Sequence, residues 1–188
     1  MGVTELMVKK MMTRNIIISG FGGQGIVAAG KTLIYAAMKD GMNVSMLPSY
    51  GPEMRGGFAN CHVIISESSI ACPIISSPDF VIAMSVPAFE KFEPMVKPEG
   101  TLIIDSHLVG SKSSRDDITS LYVPATKVAM EVGSAKFANV VMLGVLLQLL
   151  DCPAMESMKK AIMNMLPDDK KDLLDKEMEA LSLGMEYA

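Results

Sequence analysis

The chain has 188 residues, enough for one well-packed domain and short for two. Its apolar content is 49% and its net charge −4, an ordinary soluble composition. Without a basic excess, a Lys/Arg cluster or many aromatics, it lacks the electrostatic footprint of nucleic-acid binding.

Residues 1–13 carry Lys9-Lys10 and several methionines but no apolar core, so they are not a signal peptide. Gly2 does not begin a myristoylation motif, because Leu6 stands where a hydroxyl is required. We read them as a flexible leader, with residues 14–188 as a single α/β domain. Arg14 to Gly20 holds three consecutive isoleucines bounded by a glycine turn, the pattern of a fully buried strand. Gln24 to Lys39 follows as a helix, with Ile26, Val27, Leu33, Ile34, Ala37 and Met38 expected on one face. Gly30 lies in that face, where a missing side chain lets helix and sheet approach closely. Strand, glycine turn and helix together open an α/β sheet.

Two nucleotide motifs overlap here. Gly20, Gly22 and Gly25 match G-x-G-x-x-G between a strand and a helix. The next strand, Asn43 to Pro48, offers no acid for a ribose hydroxyl, and Asp40 stands at its wrong end. Gly25 to Thr32 matches the P-loop letter for letter, with Asp105 as a strand-end acid for magnesium. Register opposes that match, because Lys31 would lie roughly 9 Å along a helix that has already begun. An independent nucleotide-binding protein using Gly20–Thr32 is therefore the alternative reading. A purely structural turn is the simpler account of the glycines.

Ser49 to Gly57 reads as a loop beyond a strand's carboxyl end, where α/β sheets place ligands and partners. It offers Tyr50, Glu53 and Arg55 on a glycine-rich base; a solvated Glu–Arg pair is the plainer explanation. Asn60–Ser66, Ile70–Ile75, Phe80–Met84, Thr101–Asp105 and Leu121–Pro124 are expected strands. Val86–Met95 is a short helix, and Ser106–Asp117 a polar loop. Ala125–Val132, Phe137–Leu150, Ala154–Leu166 and Asp168–Leu183 are expected helices. Phe137–Leu150 is apolar nearly all round, so it is either central to the core or half-covered by another subunit. At fourteen residues, with Asn139 and Gln148 inside, it is short for a membrane span.

Cys61, Cys72 and Cys152 are widely spaced and odd in number, which points to a reducing compartment. They are too few for a four-cysteine cluster within one chain, and Cys61-His62 would point to opposite strand faces. There is no G-x-S-x-G elbow and no H-E-x-x-H, and two histidines leave few general bases. We assign no catalytic residue and no metal ligand. Such a chain fits a subunit that helps build a site whose reactive cofactor sits elsewhere.

Gly20-Phe-Gly-Gly-Gln-Gly25, Ser49-Tyr-Gly-Pro-Glu-Met-Arg-Gly-Gly57, Pro78-Asp79, Pro124-Ala125-Thr126, Asn139 and Leu143-Gly144 resemble the gamma subunit of 2-oxoacid:ferredoxin oxidoreductases. The likeness is greatest to the 2-oxoglutarate and 2-oxoisovalerate (ketoisovalerate) enzymes and spans residues 13–180. It departs at Lys176-Glu177-Met178, where the family commonly has Asn. The resemblance implies a three-layer α/β/α domain with a mixed central sheet, like the gamma domain of pyruvate:ferredoxin oxidoreductase. It also implies a cytoplasmic hetero-oligomer that decarboxylates a 2-oxoacid on thiamine diphosphate. That complex would pass electrons through an iron–sulfur cluster to ferredoxin and release an acyl-CoA. Thiamine diphosphate, magnesium, the cluster and coenzyme A are expected in the complex, none of the cofactors being bound by this chain, which is expected to be inactive alone. Alpha and beta subunits are the expected partners; a ferredoxin-like delta subunit and self-association through the 137–150 helix are allowed. Nucleic acid and membrane are not expected partners. Gly22, Gly23, Gln24, Gly25, Tyr50, Gly51, Pro52, Glu53, Arg55, Gly56 and Gly57 are expected to face the partner subunits and the approach to the active site.

Overall fold

Ile16, Ile17 and Ile18 are all fully buried, because their strand lies inside a sheet covered on both faces. The structure, a computed structural model, describes residues 12–51 and 57–188. Of the expected leader, residues 1–11 lie outside this range, and Thr13 already begins the first strand. The strands are β1 Thr13–Phe21, β2 Asn43–Tyr50, β3 Phe58–Ser66, β4 Phe80–Ala83, β5 Thr101–Asp105 and β6 Thr119–Val123. The helices are α1 Ile26–Lys39, α2 Val86–Phe92, α3 Ala125–Val132, α4 Ala138–Leu149, α5 Met155–Met165 and α6 Leu174–Met185. The sheet order is β2-β3-β1-β4-β5-β6, with β3 antiparallel to both neighbours and β1, β4, β5 and β6 parallel. The fold is thus the expected α/β type with a mixed central sheet.

Side chains alternate across each strand into two cores. Ile16, Ile18, Cys61, Val63, Ile82 and Ile103 meet residues from α1, α3, α4, α5 and α6. Ile17, Ile64, Val81, Leu102 and Ile104 meet α2 and residues of the connecting segments, Ile75 and Val109 among them. The outer layers are therefore unequal, one with five helices and the other with a short helix and loops. Gly30 is buried at the α1–β3 contact, where a Cβ would lie 2.6 Å from Cys61 Sγ. This is the close approach expected from its place in the helix. Met38, expected on the same face, is instead exposed, because the buried stripe runs through Ile26, Ala29, Leu33, Ala36 and Ala37.

Ten of the twelve residues of α4 are buried. The apolar run is thus central to the core, most of its surface covered by this chain. Its contact with α6 is backbone-close: a Cβ on Gly144 would stand 2.0 Å from the Leu181 carbonyl oxygen. Met178, at the position where the resemblance departs, packs half-buried against this core.

Two expected elements differ. Ile70–Ile75 forms no strand; Pro73 cannot donate to a ladder, and the segment lies over the second face instead. There Ile75 is buried and its N–H donates to His62 Nδ1 at 3.2 Å. Asp168–Leu183 is broken into a 3-10 stretch, Asp168–Leu173, followed by α6. No residue of that stretch is buried, so tertiary packing does not enforce an α-helical register.

Asp40, just past α1, fastens α5. Its carboxylate accepts from the Ala154 N–H at 2.6 Å and from Ser157 Oγ, with Cys152 Sγ at 3.8 Å. Burial raises its pKa, but these three bonds outweigh burial and leave it below the usual carboxylate value. A depressed pKa contributes stability above the ordinary value and loses it as pH falls through the folded one. Asp40→Asn is therefore expected to be less stable than wild type at pH 7, with the gap closing below about pH 4. Urea midpoints at the two pH values check this; a gap constant with pH would contradict it.

Candidate functional site at the carboxyl edge of the sheet

After β1 the chain must leave the sheet, pass a tight turn and enter α1. Gln24 holds that turn from inside. Its Oε1 accepts from the Phe21 N–H at 2.6 Å, and its Nε2 donates to the Met84 carbonyl at 2.9 Å. One carboxamide thus bridges the ends of β1 and β4. Because α1 covers one face and α2 the other, this gap is the topological switch point of the sheet. Gly20 makes room for the bridge, since a Cβ there would lie 2.4 Å from Gln24 Oε1. Gly25 takes φ +75 and would meet Asn139 Nδ2 at 2.4 Å, so both position and conformation call for glycine.

The two motif stretches meet. Gly22 N–H donates to the Gly57 carbonyl at 2.8 Å, and Gly51 N–H to the Phe58 carbonyl at 2.7 Å. Tyr50 ends β2 and is exposed. The expected site residues Pro52, Glu53, Arg55 and Gly56 lie outside the described residues.

Asn139, on the first turn of α4, donates through Nδ2 to the Gly25 carbonyl at 3.1 Å. Its Oδ1 is buried without a partner among the described residues. Two adjoining clefts open beside it. One, of about 280 Å³, is lined by Gly23, Gly25, Thr32, Lys136, Asn139 and Glu177. The other, of about 250 Å³, is lined by Gly23, Gln24, Met84, Leu108, Thr126 and Lys136. The start of α1 and the exposed Lys136 make this region receptive to negative charge. Glu177 is the opposing acid, and burial raises its carboxyl above the usual range. Lys136, Asn139, Met84 and Thr126 were not among the expected site residues. The sequence signal for Asn139 was a polar side chain inside an otherwise apolar helix.

Neither nucleotide motif has the geometry it needs. A P-loop lysine opens its helix, whereas α1 starts at Ile26 and Lys31 is exposed within it. Asp105 is fully buried and committed to α3, accepting from Thr126 Oγ at 2.5 Å and from the Thr126 N–H at 3.3 Å. In a dinucleotide fold β2 adjoins β1, but here β3 separates them. An acid at the tip of β2 would stand two strand spacings from β1, about 10 Å, in place of one. The turn interior is also filled by Gln24 itself.

The cysteines Cys61 and Cys152 have structural surroundings. Burial pushes the Cys61 thiol up to about 12. Burial, with the adjacent Asp40 carboxylate, pushes Cys152 to about 11. Cys61 and His62 do face opposite sides of β3, His62 lying edge-on to Phe92 on the second face. Among the described residues no group of three or more His, Cys, Asp or Glu side chains could hold a metal ion. No helix among them is long and apolar enough to cross a membrane.

Residues 15–187 match the family model described as pyruvate ferredoxin/flavodoxin oxidoreductase. The chain is 38% identical over 180 residues to 2-oxoglutarate synthase subunit KorC of Methanocaldococcus jannaschii, covering 94% of this chain and 95% of that one. It is 36% identical to ketoisovalerate oxidoreductase subunit VorA of Methanothermobacter thermautotrophicus, covering 91% of this chain but only 35% of that longer one. The solved gamma subunit of a keto/oxoacid ferredoxin oxidoreductase from Geobacter sulfurreducens superposes with a TM-score of 0.80. It is 30% identical, with 93% of this chain and 98% of that one covered.

Proposed function

This chain belongs to the pyruvate ferredoxin/flavodoxin oxidoreductase family, and from that premise we propose that it is the gamma subunit of a cytoplasmic 2-oxoacid:ferredoxin oxidoreductase. Its substrate is 2-oxoglutarate or a branched-chain 2-oxoacid, converted with coenzyme A to the acyl-CoA and carbon dioxide while two electrons pass to ferredoxin. Thiamine diphosphate with magnesium and the iron–sulfur cluster supply the carbanion and electron-transfer chemistry from alpha, beta and ferredoxin-like partner subunits. What this chain contributes is position and charge. Gln24 fixes the glycine turn, Asn139 holds its far end, and the Gly23–Lys136 clefts stand beside it on the approach to the active site. The observation that carries the reading is the cleft at the switch point with Lys136 at its edge, beside a turn that is already filled by its own side chain.

The donor set suits a phosphorylated substrate better than a metal. Lys136 is a cation and the first turn of α1 carries no acid, while the Thr126 hydroxyl is already donated to Asp105 and Glu177 lines the far side of the cleft. Lys136 and the start of α1 would orient the anionic part of coenzyme A, while the Ser49–Gly57 loop meets the partner surface. The test is the complex co-expressed with its remaining subunits and assayed with ferredoxin on each 2-oxoacid in turn. Lys136→Ala is expected to raise KM for coenzyme A roughly three- to tenfold with kcat unchanged, the signature of lost uniform binding. Arg55→Ala is expected to lower turnover or assembly. An unchanged KM in the first variant, with full activity in the second, would overturn these roles. A wild-type complex that neither assembles nor turns over would overturn the proposal itself.

A further inference from the structure

Glu177 lies outside the stretches that carry the family resemblance. It sits half-buried on α6 and lines the cleft of about 280 Å³ beside the glycine turn. Burial disfavours its charge, and among the described residues it makes no ion pair that would offset the cost. Its neighbour Lys176 is turned toward Gly133, where a Cβ would stand 3.3 Å from Lys176 Nζ. Lys136 and Glu177 are the charged residues of the cleft lining; Thr32 from α1 is a neutral hydroxyl, and the side chains from α5 are apolar. An acid that loses water and gains no partner adds nothing to the stability of the fold. Its effect falls on whatever enters the cleft.

The rest of the cleft favours the opposite charge. α1 begins there with no side-chain cap and no acid in its first turn, so its leading N–H groups meet no side-chain acceptor. Lys136 adds a cation. Asn139 is 9% exposed, and its Oδ1 has no partner among the described residues, which leaves a buried acceptor for a bound donor. We propose that Glu177 sets the affinity and the orientation of coenzyme A in this cleft by repelling the ligand's phosphates from the α6 side. The inference rests on the reading that coenzyme A enters here, and adds the residue that opposes it. A phosphate held at the start of α1 beside Lys136 keeps its distance from Glu177, whereas one turned toward α6 meets the acid. The same carboxylate therefore weakens the right orientation slightly and the wrong one strongly. Across an open cleft the repulsion acts through a water-like dielectric, so it tunes binding and does not block it.

The experiment uses the complex assembled with its remaining subunits at about pH 8, well above the ordinary carboxylate range. Glu177→Gln is expected to lower KM for coenzyme A about two- to fivefold with kcat unchanged. Calorimetric titration of the complex with coenzyme A, in the absence of 2-oxoacid, should show Kd falling by the same factor. Raising the ionic strength should close the gap between variant and wild type, because salt screens a charge and leaves packing alone. Glu177→Asp, which keeps the charge, is expected to stay near wild type. Glu156→Gln removes an exposed acid of α5 that pairs with Lys160, and is expected to bind as wild type does. An unchanged or raised KM and Kd in Glu177→Gln would overturn the inference, as would an equal gain in Glu156→Gln or a gap insensitive to salt. If Lys136→Ala raises KM while Glu177→Gln leaves it unchanged, only the role of Glu177 fails. If neither variant moves KM or Kd, coenzyme A does not enter this cleft and the underlying reading fails with it.

Discussion

Gly144→Ala is expected to lower the unfolding free energy of the chain by about 2 kcal/mol net, and its melting temperature by roughly 4–8 °C. The cause is the crossing of α4 and α6. A Cβ on Gly144 would lie 2.0 Å from the Leu181 carbonyl oxygen and 3.1 Å from Gly184 Cα. The Leu181 oxygen is backbone, so no rotamer change relieves the contact; one helix must move against the other. Overpacking of this kind costs up to about 3 kcal/mol, whereas alanine returns about 1 kcal/mol of helix propensity. The clash therefore outweighs the propensity gain. Gly184→Ala is expected to behave alike, since its Cβ would meet the Val141 carbonyl oxygen at 2.0 Å. The double variant should fall short of the sum, because both changes push the same two helices apart. Thermal and urea unfolding check these values; a stabilised Gly144→Ala chain would show that the helices are not in backbone contact.

That contact was invisible to periodicity, although much of the surrounding fold was not. Ile16–Ile18 announced a doubly covered strand, and the spacing through Leu33 and Ala37 announced the helix after it. Both signals are local, and both survive into the folded chain. Strand order is not local: nothing in Asn43–Tyr50 or Phe58–Ser66 reveals that β3 inserts between β1 and β2. Composition also misled where apolar residues cover the sheet without joining it, as Ile70 and Ile75 do. The glycine turn was legible as a turn, and the P-loop register argument was legible from helix rise alone. Its closure by Gln24 and Asn139 was not, because those bonds reach Met84, sixty residues away, and Gly25, 114 residues away. Family resemblance located the stretches that matter, while the hydrogen bonds show what the side chains do there.

Gln24→Glu is expected to cut kcat/KM of the assembled complex by about a hundredfold or more, close to 2.7 kcal/mol of transition-state stabilisation. The substituted carboxylate can still accept from the Phe21 N–H, but it has no donor for the Met84 carbonyl and turns an anionic oxygen toward it. Either the side chain leaves the gap or β1 and β4 separate at their tips. In both cases the turn loses its shape, and a negative charge enters clefts whose nearby cation is Lys136. Gln24→Ala removes the same two bonds without adding charge, so its loss should be nearer tenfold. Comparing the pair separates shape from electrostatics. Raising ionic strength should narrow the gap between the variants, because salt screens the added carboxylate but restores no hydrogen bond. Assembly is read separately by gel filtration, so that lost turnover is told apart from lost docking. Equal activity of Gln24→Glu and wild type, in a complex of normal composition, would mean that the turn carries structure alone and takes no part in turnover.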